Sequence, residues 1–91
     1  MKEQLKEIID HYGIDKQLKY IHSEYFELDE AIIQDEDGFG GKHHIAEELA
    51  DVMCMIKQFQ YYYGITDKQI EDIMKFKIDR QLERIKNEES K

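Results

Sequence analysis

The amino-acid sequence predicts an all-α fold, a helical bundle built from antiparallel helix hairpins. Proline is absent, so no helix is interrupted by a residue that lacks a backbone N–H donor. Apolar residues recur at steps of three and four, the spacing of one helix face. No segment alternates apolar and polar residues over even five positions, as a half-buried strand would. The glycines fall only where loops are expected: Gly13, Gly38, Gly40, Gly41 and Gly64.

Four helices are expected in order along the chain. The first covers 5–12 and ends at Gly13 as a C-terminal cap, and the second covers 16–34 with Asp15 as its N-cap. After a loop at 35–42, the third helix covers 43–63 and ends at Gly64. The fourth begins at Thr66, which forms a capping box with Gln69, and continues to about residue 86, where the tail is expected to fray.

Length and composition favour a small globular protein that assembles with itself. The chain has 91 residues, which predicts a single domain over 1–91. A chain this short buries only about 60–65% of its unfolded surface, so we expect a homodimer or homotetramer. The formal net charge of −8 argues against nucleic acid as a partner, because such binding needs a basic face.

Cysteine content and hydropathy predict a cytoplasmic protein. Cys54 is the only cysteine, so an intramolecular disulfide is excluded and a reducing compartment is favoured. No apolar run approaches the roughly 20 residues of a membrane span, and the charged first residues lack the apolar region of a signal peptide. We therefore expect no membrane partner.

Two pairs of acids are the candidate functional residues. Glu48 and Asp51 lie three positions apart on the third helix, and Glu24 and Glu27 repeat this spacing on the second. Residues three apart share a helix face, and both pairs flank an apolar stripe that a neighbouring helix should cover. If the two helices pack antiparallel, four carboxylates converge, and such a group of like charges is costly without a cation. Oxygen ligands favour magnesium or manganese; the alternative is that the acids form ordinary solvated helix faces.

Other metal and phosphate sites do not fit the sequence. None of the four histidines follows a glutamate by three residues, as in di-iron bundles, and the zinc-protease spacing His-Glu-x-x-His is absent. The acidic loop after residue 34 lacks the glycine and glutamate positions of a calcium loop, and its glycines lack the Ser or Thr of a phosphate loop. Phe39 in this loop is a candidate for stacking on a base, although a plain loop position is the simpler interpretation.

The order and spacing of the acids resemble a known signature. Glu24-x-x-Glu27, a gap of 20 residues and Glu48-x-x-Asp51 are similar to the motif of the MazG-like all-α nucleoside triphosphate pyrophosphohydrolases, and the similarity covers roughly 15–86. The fourth helix also resembles the basic C-terminal helix of the small phage-type members. Many relatives carry a further glutamate just before the first pair, where this chain has Ser23, so the resemblance does not fix the number of metal ions or the general base.

The resemblance implies a fold and an activity. It implies an all-α NTP pyrophosphatase-like bundle completed by oligomerisation, with Mg²⁺ (or Mn²⁺ as a substitute) held by the four acids. The reaction would convert a nucleoside triphosphate to a monophosphate and pyrophosphate. The alternatives are a non-catalytic acidic interaction module, a hydrolase of another pyrophosphate-containing nucleotide, and an inactive relative.

Four further residues receive candidate roles. Glu47, beside the second acidic pair, is a candidate to orient or deprotonate the attacking water, or else a solvated acid near a helix N-terminus. Lys77, Arg80 and Arg84 lie at steps of three and four on one face of the fourth helix. They are candidates for substrate phosphate binding, and the alternative is that they pair with neighbouring acids.

Overall fold

A computed structural model describes residues 1–38 and 40–90 of the chain and contains four α-helices. They are α1 (Lys2–Tyr12), α2 (Ile14–Glu36), α3 (Lys42–Tyr62) and α4 (Asp67–Glu89). The described residues include no strand, which confirms the all-α prediction. The helix boundaries differ from the expected ones by at most three residues. The largest differences are at the start of α1 and at the end of α4, which lie outside the predicted limits. None of these helices is long and apolar enough to cross a membrane.

The corner between α1 and α2 consists of a single residue. Gly13 has a φ of 90°, a backbone conformation that residues other than glycine rarely adopt. Its N–H donates to the carbonyl of Ile9 at 2.8 Å. The predicted N-cap role of Asp15 is wrong: α2 begins at Ile14, and Gly13 occupies the cap position without a side-chain hydrogen bond. Asp15 lies instead in the first turn, where a carboxylate is favoured by the helix dipole.

The predicted capping box at the start of α4 is confirmed. The Thr66 hydroxyl accepts a hydrogen bond from the backbone N–H of Gln69 at 3.1 Å, and the Gln69 side chain accepts from the backbone N–H of Thr66 at 2.8 Å. This reciprocal pair satisfies two donors that a helix start otherwise leaves free.

Helices α2 and α3 pack against each other in antiparallel orientation. Gln17 near the start of α2 donates to Gln58 near the end of α3 at 2.7 Å, while Glu27 further along α2 lies near Glu48 early in α3. Residues later in α2 therefore contact residues earlier in α3, as antiparallel packing requires. After α2 the backbone at Gly40 approaches that helix closely, since a Cβ on Gly40 would lie 2.9 Å from the backbone nitrogen of Asp35.

The core within one chain is small. Helix α1 packs against both α2 and α3, and the buried apolar side chains are Ile9, Ala31, Val52, Met55 and Tyr61. The predicted apolar stripes of α2 and α3 are only partly covered, since Tyr25, Leu49 and Ile56 remain between 44% and 65% exposed. One acid of each pair, Glu24 and Glu48, is nevertheless on the covered side of these helices.

Helix α4 packs against none of the other three helices in the described part of the chain. It has no buried residue, and its large apolar side chains remain exposed: Ile73, Met74, Phe76, Ile78, Leu82 and Ile85. One chain therefore leaves a complete amphipathic helix without a partner.

The corner between α3 and α4 is held by one carboxylate. Asp67 Oδ1 accepts hydrogen bonds from Lys57 Nζ at 2.8 Å, from Gln60 Nε2 at 2.7 Å and from the Tyr61 hydroxyl at 3.2 Å. Gln60 and Tyr61 are buried, so these bonds satisfy polar groups that water reaches poorly. The hydrogen bonds from Lys57 and Gln60 lower the pKa of Asp67 from 3.8 to about 2.

We expect Asp67→Asn to lower the melting temperature at neutral pH, because the amide loses the charge that these donors stabilise. A depressed carboxyl pKa contributes stability above the unfolded value of 3.8, and this contribution is lost as pH falls toward about 2. The gap in melting temperature between wild type and variant should therefore close over that interval. Circular dichroism melts at several pH values measure it.

Asp72→Asn is the matched control, since Asp72 is an exposed acid of α4 that pairs with Lys68 one turn away. Such surface pairs contribute little to stability, so this variant should melt close to wild type throughout. A constant gap for Asp67→Asn down to pH of about 2 would show that the loss does not come from the carboxylate charge.

Candidate metal centre

The structure brings the four predicted acids together. Glu24 and Glu27 lie one turn apart on α2, Glu48 and Asp51 lie one turn apart on α3, and the antiparallel packing makes the two pairs face each other. One carboxylate oxygen from each residue lies within 4.8 Å of the corresponding oxygens of the other three. This is the convergence that the spacing predicted.

The four carboxylates divide into an inner and an outer pair. Glu24 and Glu48 are partly buried, and the Glu48 side chain is only 13% exposed. Glu24 Oε2 and Glu48 Oε2 are both shielded from solvent and have no hydrogen-bond partner among the residues that the structure describes. Glu27 and Asp51 are exposed. Since a buried polar oxygen without a partner is costly, the inner pair is the feature that a bound cation would satisfy.

Burial and mutual repulsion raise the pKa of both inner acids. For Glu24 the largest cause is desolvation, followed by the charges of Glu27, Asp51 and Glu48. For Glu48 desolvation again leads, followed by Glu27 and Asp51, and the nearby His44 opposes the shift. His44 Nδ1 lies 3.9 Å from Glu48 Oε1, a distance too long for a strong hydrogen bond.

The donor set suits a hard divalent cation. All four ligands are carboxylates, and within the described residues no lysine or arginine forms an ion pair with any of them. Oxygen-only coordination is typical of magnesium, manganese and calcium rather than zinc or copper. The two orphaned oxygens and the shared negative charge together make these residues a candidate metal centre.

Glu47 lies outside this group. Its carboxylate is exposed and pairs with His43 Nε2 at 3.0 Å, one turn earlier on α3. The structure therefore gives Glu47 a surface partner, and its role as the residue that activates water stays a prediction.

The three basic candidates lie on α4, away from the acids of their own chain. Arg80 sits over the Phe76 ring at 5.8 Å, and Arg84 donates to Gln81 at 3.2 Å. Across residues 1–38 and 40–90, neither these arginines nor Lys77 forms an ion pair. Because α4 packs against neither α2 nor α3, one chain does not bring these cations to the metal centre, and phosphate binding by them stays a prediction.

A buried amide pair near the acids was not predicted from the sequence. Gln17 and Gln58 are 4% and 3% exposed, and each stands seven residues from a member of the cluster, Gln17 before Glu24 and Gln58 after Asp51. Seven residues are two helical turns, which return to nearly the same face. This spacing of seven residues is the sequence pattern from which the position of the amides could have been predicted. Phe39, the candidate stacking residue, lies outside the described residues.

Comparison of the chain with protein-family models, curated proteins and solved structures finds no match. The likeness to MazG-like proteins therefore rests on the acidic motif and its surroundings.

Proposed function

We propose that the chain is a magnesium-dependent nucleotide pyrophosphohydrolase that converts a ribo- or deoxyribonucleoside triphosphate to the monophosphate and pyrophosphate. The single observation that carries the proposal is the cluster of four carboxylates within 4.8 Å, two of whose buried oxygens lack a partner. The order and spacing of these acids, which resemble the MazG-like signature, support this reaction among those that divalent cations assist.

In this proposal Glu24, Glu27, Glu48 and Asp51 hold the metal. When bound, Mg²⁺ would neutralise polyphosphate charge and lower the pKa of a coordinated water. The oxygen of water attacks the α-phosphorus, the bond from that phosphorus to the bridging oxygen breaks, and pyrophosphate leaves with the bonding electrons. The water must also lose a proton, and Glu47 is the proposed acceptor.

The test is a panel of ribo- and deoxyribonucleoside triphosphates, assayed for pyrophosphate release with magnesium and with chelator. Magnesium-dependent release of pyrophosphate supports the proposal, whereas release of orthophosphate alone would indicate a different hydrolase. If no triphosphate in the panel releases pyrophosphate, even at high protein concentration, the proposal is overturned.

The second candidate function is a cytoplasmic interaction module without catalysis, and the exposed apolar face of α4 is the observation that favours it. The pyrophosphohydrolase proposal accounts for that face by self-assembly into a homodimer or homotetramer, which would complete the bundle and could supply the basic residues of α4 to another chain's acids. Magnesium-dependent turnover separates the two functions.

We expect sedimentation at low micromolar concentration to show at least a dimer, because Met74, Ile78 and Ile85 form an apolar stripe on α4 that no helix of the same chain covers. Ile78→Glu should shift the protein toward monomer, since it places a charge in the centre of this stripe. Phe76→Glu is the matched control. Its position is two residues away and therefore about 200° around the helix, so it should leave the assembly intact.

A stable wild-type monomer would refute the expected assembly. Equal dissociation by both α4 variants would instead show that the interface does not follow the Met74–Ile78–Ile85 stripe.

A further inference from the structure

A cleft of about 350 Å³ opens beside the metal centre, among α1, α2 and α3. Its volume lies within the range of small-molecule sites. Glu24 lines the cleft and also belongs to the acidic cluster, so the two features are continuous. A molecule held in the cleft would therefore have one end next to the carboxylates.

Two buried amides line the cleft. Gln17 and Gln58 are both more than nine-tenths buried. Gln17 Nε2 donates to Gln58 Oε1 at 2.7 Å, and Gln58 Nε2 donates to Met55 Sδ at 3.7 Å. A primary amide has two donor hydrogens and an acceptor oxygen with two lone pairs. Beyond these two bonds, the pair therefore retains further donors and acceptors next to the cleft. These groups suit hydrogen bonding to the polar edge of a flat molecule.

Two tyrosines also contribute to the lining of the cleft. Tyr12 and Tyr20 both line it, but Lys16 Nζ lies 4.8 Å from the centroid of the Tyr12 ring and covers that ring. Tyr20 is 52% exposed, and within the described residues no aromatic ring or cation stacks on it. Its ring is available to a planar ligand.

We infer that this cleft is the nucleobase subsite, in which a base stacks on Tyr20 and presents its hydrogen-bonding edge to the Gln17–Gln58 pair. The inference rests on the proposed function, which places the triphosphate at the adjoining acids. A nucleobase fits because it combines a planar π-face with adjacent donors and acceptors on its edge. The amide pair thereby becomes the element that discriminates among bases.

The test is ¹H–¹⁵N correlation spectroscopy of the full chain with the four nucleoside monophosphates at millimolar concentration, in the presence of chelator. At least one of them should shift the side-chain amide signals of Gln17 and Gln58. The exposed Gln34 amide of α2 serves as the internal reference and should not move. Ribose 5-phosphate, which lacks a base, should shift neither buried amide.

Tyr20→Ala should weaken binding of the shifting nucleotide about fivefold or more, the usual effect of losing one base-stacking partner. Tyr25→Ala is the matched control, because Tyr25 is a 65% exposed tyrosine of the same helix that does not line the cleft. Circular dichroism of both variants checks the fold. Because Tyr20 is half exposed, its truncation should leave the helical core intact.

Three results would overturn the subsite: no shift at Gln17 and Gln58 with any monophosphate, equal shifts with ribose 5-phosphate, or unchanged binding by Tyr20→Ala. The measurement requires neither metal nor turnover, so these failures leave the pyrophosphohydrolase proposal standing. Conversely, base-dependent shifts at both amides in a protein without magnesium-dependent pyrophosphate release would support the subsite and overturn the reaction.

Discussion

Glu48→Gln and Asp51→Asn should each abolish magnesium-dependent pyrophosphate release while the helical circular dichroism signal is retained. Each amide preserves the size of the side chain and removes the negative charge that a hard cation requires. Loss of a partner that merely orients a metal ligand already costs about 10–100-fold in affinity or activity, so loss of a direct ligand should exceed that range. Pyrophosphate release and circular dichroism are to be measured on the same preparations.

The control for these variants is Glu30→Gln. Glu30 is an exposed acid of α2 outside the cluster, so its amide variant changes the net charge equally without touching the site. Wild-type turnover by Glu48→Gln or Asp51→Asn would eliminate the metal-centre hypothesis. Equal loss in all three variants would attribute the effect to net charge.

The convergence of the acids followed from the sequence because helix geometry is rigid. A spacing of three residues places two carboxylates on one face, and a short turn requires α2 and α3 to run antiparallel. The division into partly buried inner acids and exposed outer acids could not be predicted from the spacing. Whether Glu24 or Glu27 is shielded depends on a rotation of α2 by a fraction of a turn. Gln17 and Ala31, the buried residues of α2, lie seven positions before and after Glu24, so Glu24 is on the buried side of the helix.

Two other features of the fold could not be predicted from the sequence, because they depend on tertiary packing. Cap preference predicts that α2 begins at Lys16 with Asp15 as its N-cap, but the helix begins two residues earlier, directly after Gly13, whose positive φ closes the corner. Tertiary geometry here overrides a cap preference of about 1 kcal/mol. The position of α4 could not be derived at all. An amphipathic pattern shows that a face will be covered, but it does not specify whether the partner belongs to the same chain.

Magnesium should raise the melting temperature strongly. Without metal, the buried oxygens of Glu24 and Glu48 are desolvated and all four acids repel one another, whereas water solvates them in the unfolded chain. A cation that binds only the folded state stabilises it in proportion to the logarithm of its concentration over Kd. For a domain of this size, a hundredfold excess over Kd corresponds to a rise on the order of 10 °C.

The same charges fix the direction of the pH dependence without metal. Folding raises the pKa of Glu24 and Glu48, so these groups destabilise the native state above their folded pKa values, and the penalty disappears as protonation becomes favourable. Lowering the pH from neutrality toward the ordinary glutamate pKa of 4.5 in chelator should therefore raise the melting temperature. With saturating magnesium the trend should weaken or reverse, because protons then compete with the metal.

The paired variant Glu24→Gln with Asp51→Asn tests the origin of the magnesium effect. Replacing one acid from each helix removes half of the repelling charge, so the metal-free protein should melt higher than wild type while its response to magnesium is lost. Sodium chloride at equal ionic strength supplies screening without coordination and should reproduce little of the rise. If wild type melts at the same temperature in millimolar magnesium as in chelator, the four acids do not form a tight divalent site in the free protein. The partnerless oxygens of Glu24 and Glu48 would then have to be satisfied by water, and the exposed face of α4 would become the stronger guide to function.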